Sequence, residues 1–246
     1  MKTFRPFKVV ITFLFLSLVN ITFAQDLSLN LGADVVSLYI WRGINVNDAV
    51  NIQPSFTLTL SGLSAGFWGS YGFTDNETYN AYKQEIDTWL NYSYEFSNGM
   101  SLGAIVTDYY YPSAGISWGN FNNYNNPDGG GAHTIETGVL INGPSSFPLN
   151  IAGYVNVFND AGFNTYFQAD YLLSVVDFSL DFFIGAAGGS TENPNYYGTE
   201  KFNVINIGMK ASKSMKITEE YSLPLATTFI INPNTNIAYL VFTLTF

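Results

Sequence analysis

The sequence predicts an all-β fold, an antiparallel transmembrane β-barrel of about twelve strands, within a range of about ten to fourteen. Three observations predict this fold class. Segments of about ten residues alternate apolar and polar side chains. Charged residues make up only 11% of the chain and aromatic residues 17%. No stretch after residue 24 is apolar for long enough to be a membrane helix, and a chain that crosses a bilayer without helices must do so as a closed sheet.

The N-terminus has the features of a secretory signal peptide. Basic residues among the first eight precede an apolar run over residues 9–19, and a small-x-small pattern ends at Ala24. The apolar run is shorter than the ~20 residues that a membrane-spanning helix needs. We therefore expect residues 1–24 to be a signal peptide and residues 25–246 to form a single outer-membrane barrel domain.

Charge and cysteine content exclude several classes of function. Cleavage after Ala24 leaves six basic against nineteen acidic residues, a formal net charge of −13, so nucleic acid is not an expected partner. The chain has no cysteine, which excludes disulfides, thiolate nucleophiles and thiolate metal sites. Zinc sites need three or four His, Cys or carboxylate ligands, and there is one histidine. We expect neither a metal nor another cofactor.

The alternation is clearest at the C-terminus, where the even positions from Ala238 to Phe246 are apolar and the odd positions are mostly Tyr and Thr. One face of such a strand suits lipid. The same period recurs in residues 52–60, 86–96 and 178–186. The predicted strands are residues 29–42, 51–60, 63–71, 82–96, 100–111, 134–141, 149–157, 163–175, 178–187, 202–211, 222–231 and 236–246.

The connections between these strands alternate in length. Residues 61–62 and 176–177 are short turns, whereas residues 112–133 and 188–201 are long. Outer-membrane barrels have short periplasmic turns and longer extracellular loops, so we expect both termini to be periplasmic. The polar segment 212–221 fits poorly, because it falls on the turn side and is longer than expected. The pattern leaves the role of the loop from Pro112 to His133 open.

Charged strand residues should face the lumen or lie near the rims, because a Lys or Arg facing lipid at mid-membrane costs about 2–4 kcal/mol. Acidic side chains outnumber basic ones in the predicted wall, which favours small cations or neutral polar solutes over anions. Alternatively, these groups pair with one another and with tyrosines to brace the interior. For Asp108, the pattern does not decide which face of its strand the side chain lies on. The predicted lumen-facing residues are Asp34, Arg42, Asp87, Glu95, Glu136, Asp170, Asp181 and Lys210.

Aromatic side chains near strand ends suit the belts at the membrane interfaces, although filling of a core is the alternative at each position. The candidates are Trp41, Tyr71, Tyr109, Tyr110 and Tyr154. The end of the chain carries a second feature, because a terminal aromatic after spaced apolar residues resembles the signal that the outer-membrane barrel assembly machinery reads. This machinery and outer-membrane lipid are the expected partners. The predicted assembly signal is Leu240, Phe242, Leu244 and Phe246.

Three passages resemble the TorF-type family of bacterial porins. Residues 32–43 contain a Ser-x-Tyr-x-x-Arg-Gly pattern, residues 85–94 begin with Glu-Ile-Asp, and residues 106–112 end a strand with Tyr-Tyr-Tyr-Pro. The passages lie in the family's order, whereas the second half of the chain matches only in its general barrel pattern. The resemblance implies an outer-membrane barrel with a transport role, and it carries over no catalytic residues.

The leading functional prediction is a porin-like barrel for passive or facilitated passage of small polar solutes or cations. Eight-stranded barrels are filled by side chains and sixteen-stranded ones hold a channel, so a barrel of twelve could be open or plugged. The second prediction is a structural or surface-interaction barrel with ligand-binding loops and no open pore. A minor alternative is a lipid hydrolase built on His133, but a lone loop histidine is usually solvated and no serine is placed beside it. We therefore do not expect an enzyme.

Overall fold

A computed structural model gives the fold and describes residues 27–73, 83–122, 130–160, 162–188 and 196–246. Twelve strands pair in chain order, and the last returns to the first to close a barrel. All the pairings are antiparallel. The predicted all-β barrel and its strand number are therefore confirmed. The predicted signal peptide, residues 1–24, lies outside the described residues.

Two further strands form a separate hairpin, so the labels run from β1 to β14 in chain order. A short 3₁₀ helix, Pro112–Ala114, follows one of the barrel strands. The hairpin consists of β2 (Tyr39–Trp41) and β3 (Ile44–Asn47). The barrel strands are β1 (Leu27–Val36), β4 (Asn51–Leu60), β5 (Leu63–Gly72), β6 (Gln84–Glu95), β7 (Ser101–Tyr110), β8 (His133–Asn142), β9 (Leu149–Phe158), β10 (Thr165–Val175), β11 (Phe178–Gly188), β12 (Asn203–Lys216), β13 (Ser222–Asn232) and β14 (Ile237–Thr245).

The period-two pattern separates two faces of the wall. Leu29, Leu31 and Phe242 project outward with exposed fractions of 59%, 70% and 55%, as expected for side chains that contact lipid. Partners across a strand pair share a face, so the inward face can be followed from strand to strand by register. It carries mostly polar side chains, such as the buried Asn51 and Gln53.

The connections at the loop end of the barrel include the long ones and two short ones, 159–164 and 233–236. All five connections at the opposite, turn end have two to six residues, and both ends of the described chain lie at that end. There Leu27 pairs with Leu60 beside the turn at residues 61–62. The segment 212–221 contains only a short turn, because β12 continues to Lys216, which pairs with Ser222. The prediction that β12 ends at residue 211 was wrong, since serines and lysines give its last turn-side residues no apolar alternation.

The prediction that the first strand runs from 29 to 42 was also wrong. The wall strand β1 ends at Val36. Ser37 then anchors the chain to β14: its N–H donates to the Phe242 carbonyl (2.9 Å), and its Oγ accepts from the Phe242 N–H (3.0 Å). Beyond this anchor, the chain turns into the barrel as the hairpin β2–β3.

The seam between β1 and β14 closes the barrel over a short distance. Three residue pairs, from Asp34↔Thr245 to Val36↔Thr243, join the two strands, whereas ten pairs join β1 to β4. Phe246 lengthens the seam, because its N–H donates to the Ala33 carbonyl (2.9 Å) and its carbonyl accepts from the Ala33 N–H (3.2 Å). Backbone groups in hydrocarbon need such partners.

Deletion of Phe246 should impair assembly, because it removes both hydrogen bonds to Ala33 and an outward aromatic ring. The expected result is a smaller fraction of heat-modifiable, folded barrel in outer-membrane extracts on gels. Phe246→Tyr is the control, since it retains the backbone bonds and the ring. A truncated chain that inserts as efficiently as the full chain at low expression would contradict this role for the C-terminus.

Candidate functional site

The hairpin β2–β3 turns at Arg42 and Gly43, which both have positive φ (49° and 80°). Two successive positive φ values are typical of the tight turns that suit the twist of a hairpin. A Cβ on Gly43 would overlap the Ile205 carbonyl oxygen, and the Gly43 carbonyl accepts from Asn232 Nδ2 at 3.0 Å. Glycine therefore lets the turn pack against β12 and β13 of the wall.

Arg42, at the tip of the hairpin, is held by an ion pair in the interior. Its Nη1 and Nη2 donate to the two carboxylate oxygens of Glu136 at 2.6 and 2.8 Å. Nη1 also donates to the Tyr197 hydroxyl at 2.7 Å, and the Tyr109 hydroxyl donates to Glu136 at 2.9 Å. The planar guanidinium fork matches the carboxylate, which makes this one of the stronger kinds of ion pair.

Aromatic rings surround the guanidinium. It lies 4.5, 4.4 and 4.5 Å from the ring centres of Trp41, Tyr154 and Tyr166, within cation–π range. Tyr197 stacks between Trp41 and Tyr166, at 5.7 and 5.8 Å. Burial raises the pKa of Tyr197 to about 12, so this residue stays a neutral phenol. Together with Glu136 and Tyr109, these residues form what we call the Arg42 cluster.

Glycines on the wall make room for two of these rings. A Cβ on Gly138 would overlap the ring of Tyr154, and a Cβ on Gly185 would overlap the hydroxyl of Tyr166. Each tyrosine can therefore lie flat across the neighbouring strand. The Arg42 cluster fills the bore from the wall inward.

Three spaces that share lining residues lie beside the hairpin, at successive heights in the barrel. On the turn side of Arg42 lies a chamber of about 420 Å³. On the loop side lies a pocket of about 190 Å³. Between them is a neck of about 20 Å³, room for about one water molecule. The neck shares Tyr109 with the chamber, and Tyr111, Thr134 and Tyr196 with the pocket.

Register places all seven strand residues predicted to face the lumen on the inward face. Asp87 and Glu136 line the chamber together with Arg42, which is on the hairpin and not on a wall strand. Asp181 lies directly opposite Lys210 on β12. Asp34 accepts from the Thr245 hydroxyl (2.6 Å), Asp170 accepts from Gln168 Nε2 (2.7 Å), and Glu95 pairs with Ser101 at the turn end.

The prediction of interface belts was wrong for three of five aromatic residues. Trp41, Tyr109 and Tyr154 are inside the barrel in the Arg42 cluster, whereas Tyr71 and Tyr110 face outward. An aromatic residue near a strand end is compatible with an interface belt and with the interior. The face of the strand on which it lies decides between the two. The prediction also missed Tyr166, Tyr197 and the buried Glu85. Glu85 could have been predicted to face inward, because it is two residues from Asp87 and therefore lies on the same face of the strand.

His133 is buried, contrary to the expectation of a solvated loop histidine. In the strand register it lies opposite Tyr110, on the outward face that also carries Asp108. Nδ1 lies 2.9 Å from both carboxylate oxygens of Asp108, and Nε2 lies 3.0 Å from the Trp118 carbonyl. The rings of Tyr110, Trp118 and Phe121 enclose the imidazole. The segment after β7 thus folds back over the outer wall.

The comparisons with known proteins give a family. Residues 22–224 match the family described as "Bacterial protein of unknown function (Gcw_chp)". The chain is therefore a member of the Gcw_chp family of bacterial proteins. No curated protein matches it.

Solved structures with a similar chain path include a KdgM porin, with a TM-score of 0.48, 8% identity, and coverage of 87% of this chain and 95% of that one. A Salmonella typhi OmpF in complex with daunomycin gives a TM-score of 0.39 and 9% identity, over 89% of this chain and 97% of that one. Both scores are below 0.5. The fold is therefore established by the strand pairing described above.

Within the described ranges, no helix has the length and hydropathy to cross a membrane. In that part of the chain, no three His, Cys, Asp or Glu side chains come together as metal ligands. The Arg42 cluster and the adjoining chamber are thus the candidate site.

Neutralising one partner of the central ion pair should destabilise the barrel. Glu136→Gln leaves the Arg42 charge buried without a counter-charge, at a cost of about 3–5 kcal/mol in the free energy of unfolding. The double variant Arg42→Met/Glu136→Gln should recover much of this loss. Urea unfolding in lipid vesicles measures both.

The control for this pair is the exposed ion pair between Lys216 and Glu219 (2.7 Å). Lys216→Met should change stability by less than about 1 kcal/mol. Equal effects of Glu136→Gln and Lys216→Met would contradict the structural role of the central pair.

His133→Ala should release the segment that covers it. Buried hydrogen bonds to charged groups contribute about 1.5–3 kcal/mol, so cleavage by chymotrypsin at Trp118 and Phe121 should accelerate by at least about tenfold. Asn142→Ala, at the exposed turn end of the same strand, is the control. Unchanged cleavage in His133→Ala would show that other contacts hold the segment.

Proposed function

We propose that this chain is a porin-like outer-membrane protein that passes small polar solutes or cations through the barrel, with hairpin β2–β3 as its constriction. The neck of about 20 Å³ between two larger spaces carries the proposal. A chamber of about 420 Å³ is far larger than side-chain packing requires. Space along the axis on both sides of one narrow point is the arrangement expected of a gated or restrictive pore.

The charges of the interior support cations or neutral solutes over anions. The inward face carries the carboxylates of Asp34, Glu85, Asp87, Glu95, Glu136, Asp170 and Asp181. The interior holds three cations, which are Arg42, Lys210 and, at the turn end, Lys216, which binds Glu219. Arg42 is neutralised by Glu136, and Lys210 lies opposite Asp181. The remaining carboxylates make the bore acidic, which attracts cations and repels anions.

We also propose the location and orientation that go with this function. Residues 1–24 act as a signal peptide, residues 25–246 form the barrel in the outer membrane, and both termini are periplasmic. The outward apolar face and the short turns beside the termini support this orientation. The three passages that resemble TorF-type porins support that finer family name. Their Tyr39, Arg42 and Gly43 belong to the hairpin that forms the constriction, and their Ser37 anchors the chain just before it.

A sealed barrel is the second candidate, because a neck of one-water size would block solutes if the hairpin never moves. The barrel would then act through its loops. A lipid hydrolase has less support. Both nitrogens of His133 already contact acceptors, Asp108 and the Trp118 carbonyl, so neither is available to activate a serine. A lipid hydrolysis assay of wild type and His133→Ala tests this activity.

Conductance in planar bilayers tests passage directly. Tyr196 borders the neck and is 46% exposed, so Tyr196→Ala should widen the neck without unfolding the barrel. We expect a several-fold higher single-channel conductance than wild type, and reversal potentials that indicate cation preference. Tyr221→Ala is the matched control, because Tyr221 is also 46% exposed and lies at the turn end.

Three outcomes would contradict the proposal. Silence of wild type and Tyr196→Ala, with folded barrel demonstrated on gels, would favour the sealed barrel. Conduction with anion preference would refute the selectivity. An equal increase in Tyr221→Ala would place the constriction elsewhere.

A further inference from the structure

Two acidic residues lie side by side on the inward face of β6, apart from the Arg42–Glu136 pair. Glu85 and Asp87 are two residues apart on the strand, so their Cα atoms are about 7 Å apart and their side chains project to the same side. Their exposed fractions are 3% and 9%. Two carboxyl groups are thus removed from solvent at almost the same place.

Each of these carboxyl groups has one oxygen atom without a hydrogen-bond partner. Glu85 Oε2 and Asp87 Oδ1 are fully buried and accept no hydrogen bond from the described chain. The other Glu85 oxygen, Oε1, accepts from the Tyr111 hydroxyl at 3.1 Å. Buried carboxylate oxygens are normally satisfied, so these two atoms need either a proton shared between them or a bound cation.

No basic side chain neutralises the pair. All six Lys and Arg residues after Ala24 lie in the described ranges, and no salt bridge within those ranges joins any of them to Glu85 or Asp87. Arg42 binds Glu136, and Lys216 binds Glu219. A buried carboxylate without a positive partner is strongly unfavourable. Either a bound cation or a shared proton must remove the charge.

The chamber gives a cation access to this pair. Asp87 lines the chamber wall, directly across the strand pair from Trp68. Asn91, further along the same face of β6, also lines the chamber, and its Oδ1 is a third buried oxygen without a partner. Asp87 and Asn91 thus present oxygen acceptors to the chamber, and Glu85 lies beside Asp87 on the same face of β6, an arrangement that suits a cation and does not suit an anion.

We propose that Glu85 and Asp87 bind a hard cation of the Ca²⁺ type. Such ions take six to eight oxygen ligands, carboxylates and water among them. Glu85 Oε2 and Asp87 Oδ1 supply the two charged ligands, and water from the chamber completes the shell. The site is within the proposed pore, but binding requires no conductance. If no cation binds here, the proposed passage of solutes is therefore not contradicted.

Terbium luminescence tests the site, because Tb³⁺ substitutes for Ca²⁺ and is excited by energy transfer from a nearby indole. Trp68, opposite Asp87, is the expected donor. Folded barrel in detergent should give saturable emission on tryptophan excitation, and Ca²⁺ should displace it. Changes outside the ligand shell already weaken metal affinity by about 10–100-fold, so Glu85→Gln and Asp87→Asn should each weaken Tb³⁺ binding at least tenfold.

Glu95→Gln is the matched control, because Glu95 is on the same face of the same strand but exposed at the turn end. It should leave Tb³⁺ binding unchanged. Emission that is absent in wild type, or that persists in the Glu85→Gln/Asp87→Asn double variant, would overturn the proposal and assign the pair a shared proton. If the variants fail to fold, thermal unfolding of wild type decides, since a specific site predicts stabilisation that increases with Ca²⁺ concentration.

Discussion

Closure of the backbone ladder between β1 and β14 is the constraint on which the rest of the structure depends. A sheet with a free edge cannot be placed in hydrocarbon, where an unpaired N–H or C=O group has no water to bind. The seam meets this requirement with three residue pairs, the Phe246 bonds to Ala33 and the anchor at Ser37. The seam ends at Ser37, and beyond this residue the chain leaves the wall.

A closed barrel has an interior, which either side chains or water must fill. In this twelve-stranded barrel the interior holds the hairpin β2–β3 in its central part, in addition to the inward side chains. Its polar tip is stable there because Arg42 finds a complete set of partners in Glu136, Tyr197 and three rings. Buried charge of this kind is destabilising unless it is fully paired, so the cluster also fixes where the hairpin can stop.

The alternation predicted well which residues of the wall strands face outward and which face inward, because the preference for or against lipid belongs to each side chain separately. Leu240 and Phe242 face outward, and Asp87 and Glu136 face inward, whatever their neighbours are. The hairpin could not be predicted in the same way. Residues 39–41 are extended and apolar enough to continue β1, and the Arg42-Gly43 turn is a weaker hairpin signal than Asn-Gly. Only contacts distant in sequence, such as Gly43 with Ile205, separate the two outcomes.

Contacts between strands were beyond the reach of the sequence for the same reason. Tyr109 and Tyr110 are neighbours, yet one enters the Arg42 cluster and the other faces outward, so aromatic content near a strand end decided nothing by itself. A charged side chain on a wall strand can also satisfy the rule that charges avoid lipid in two different ways. Asp87 meets it by pointing into the bore. Asp108 points outward and meets it by contacting His133 beneath the segment after β7, so the carboxylate on the outer face of the wall is covered by protein.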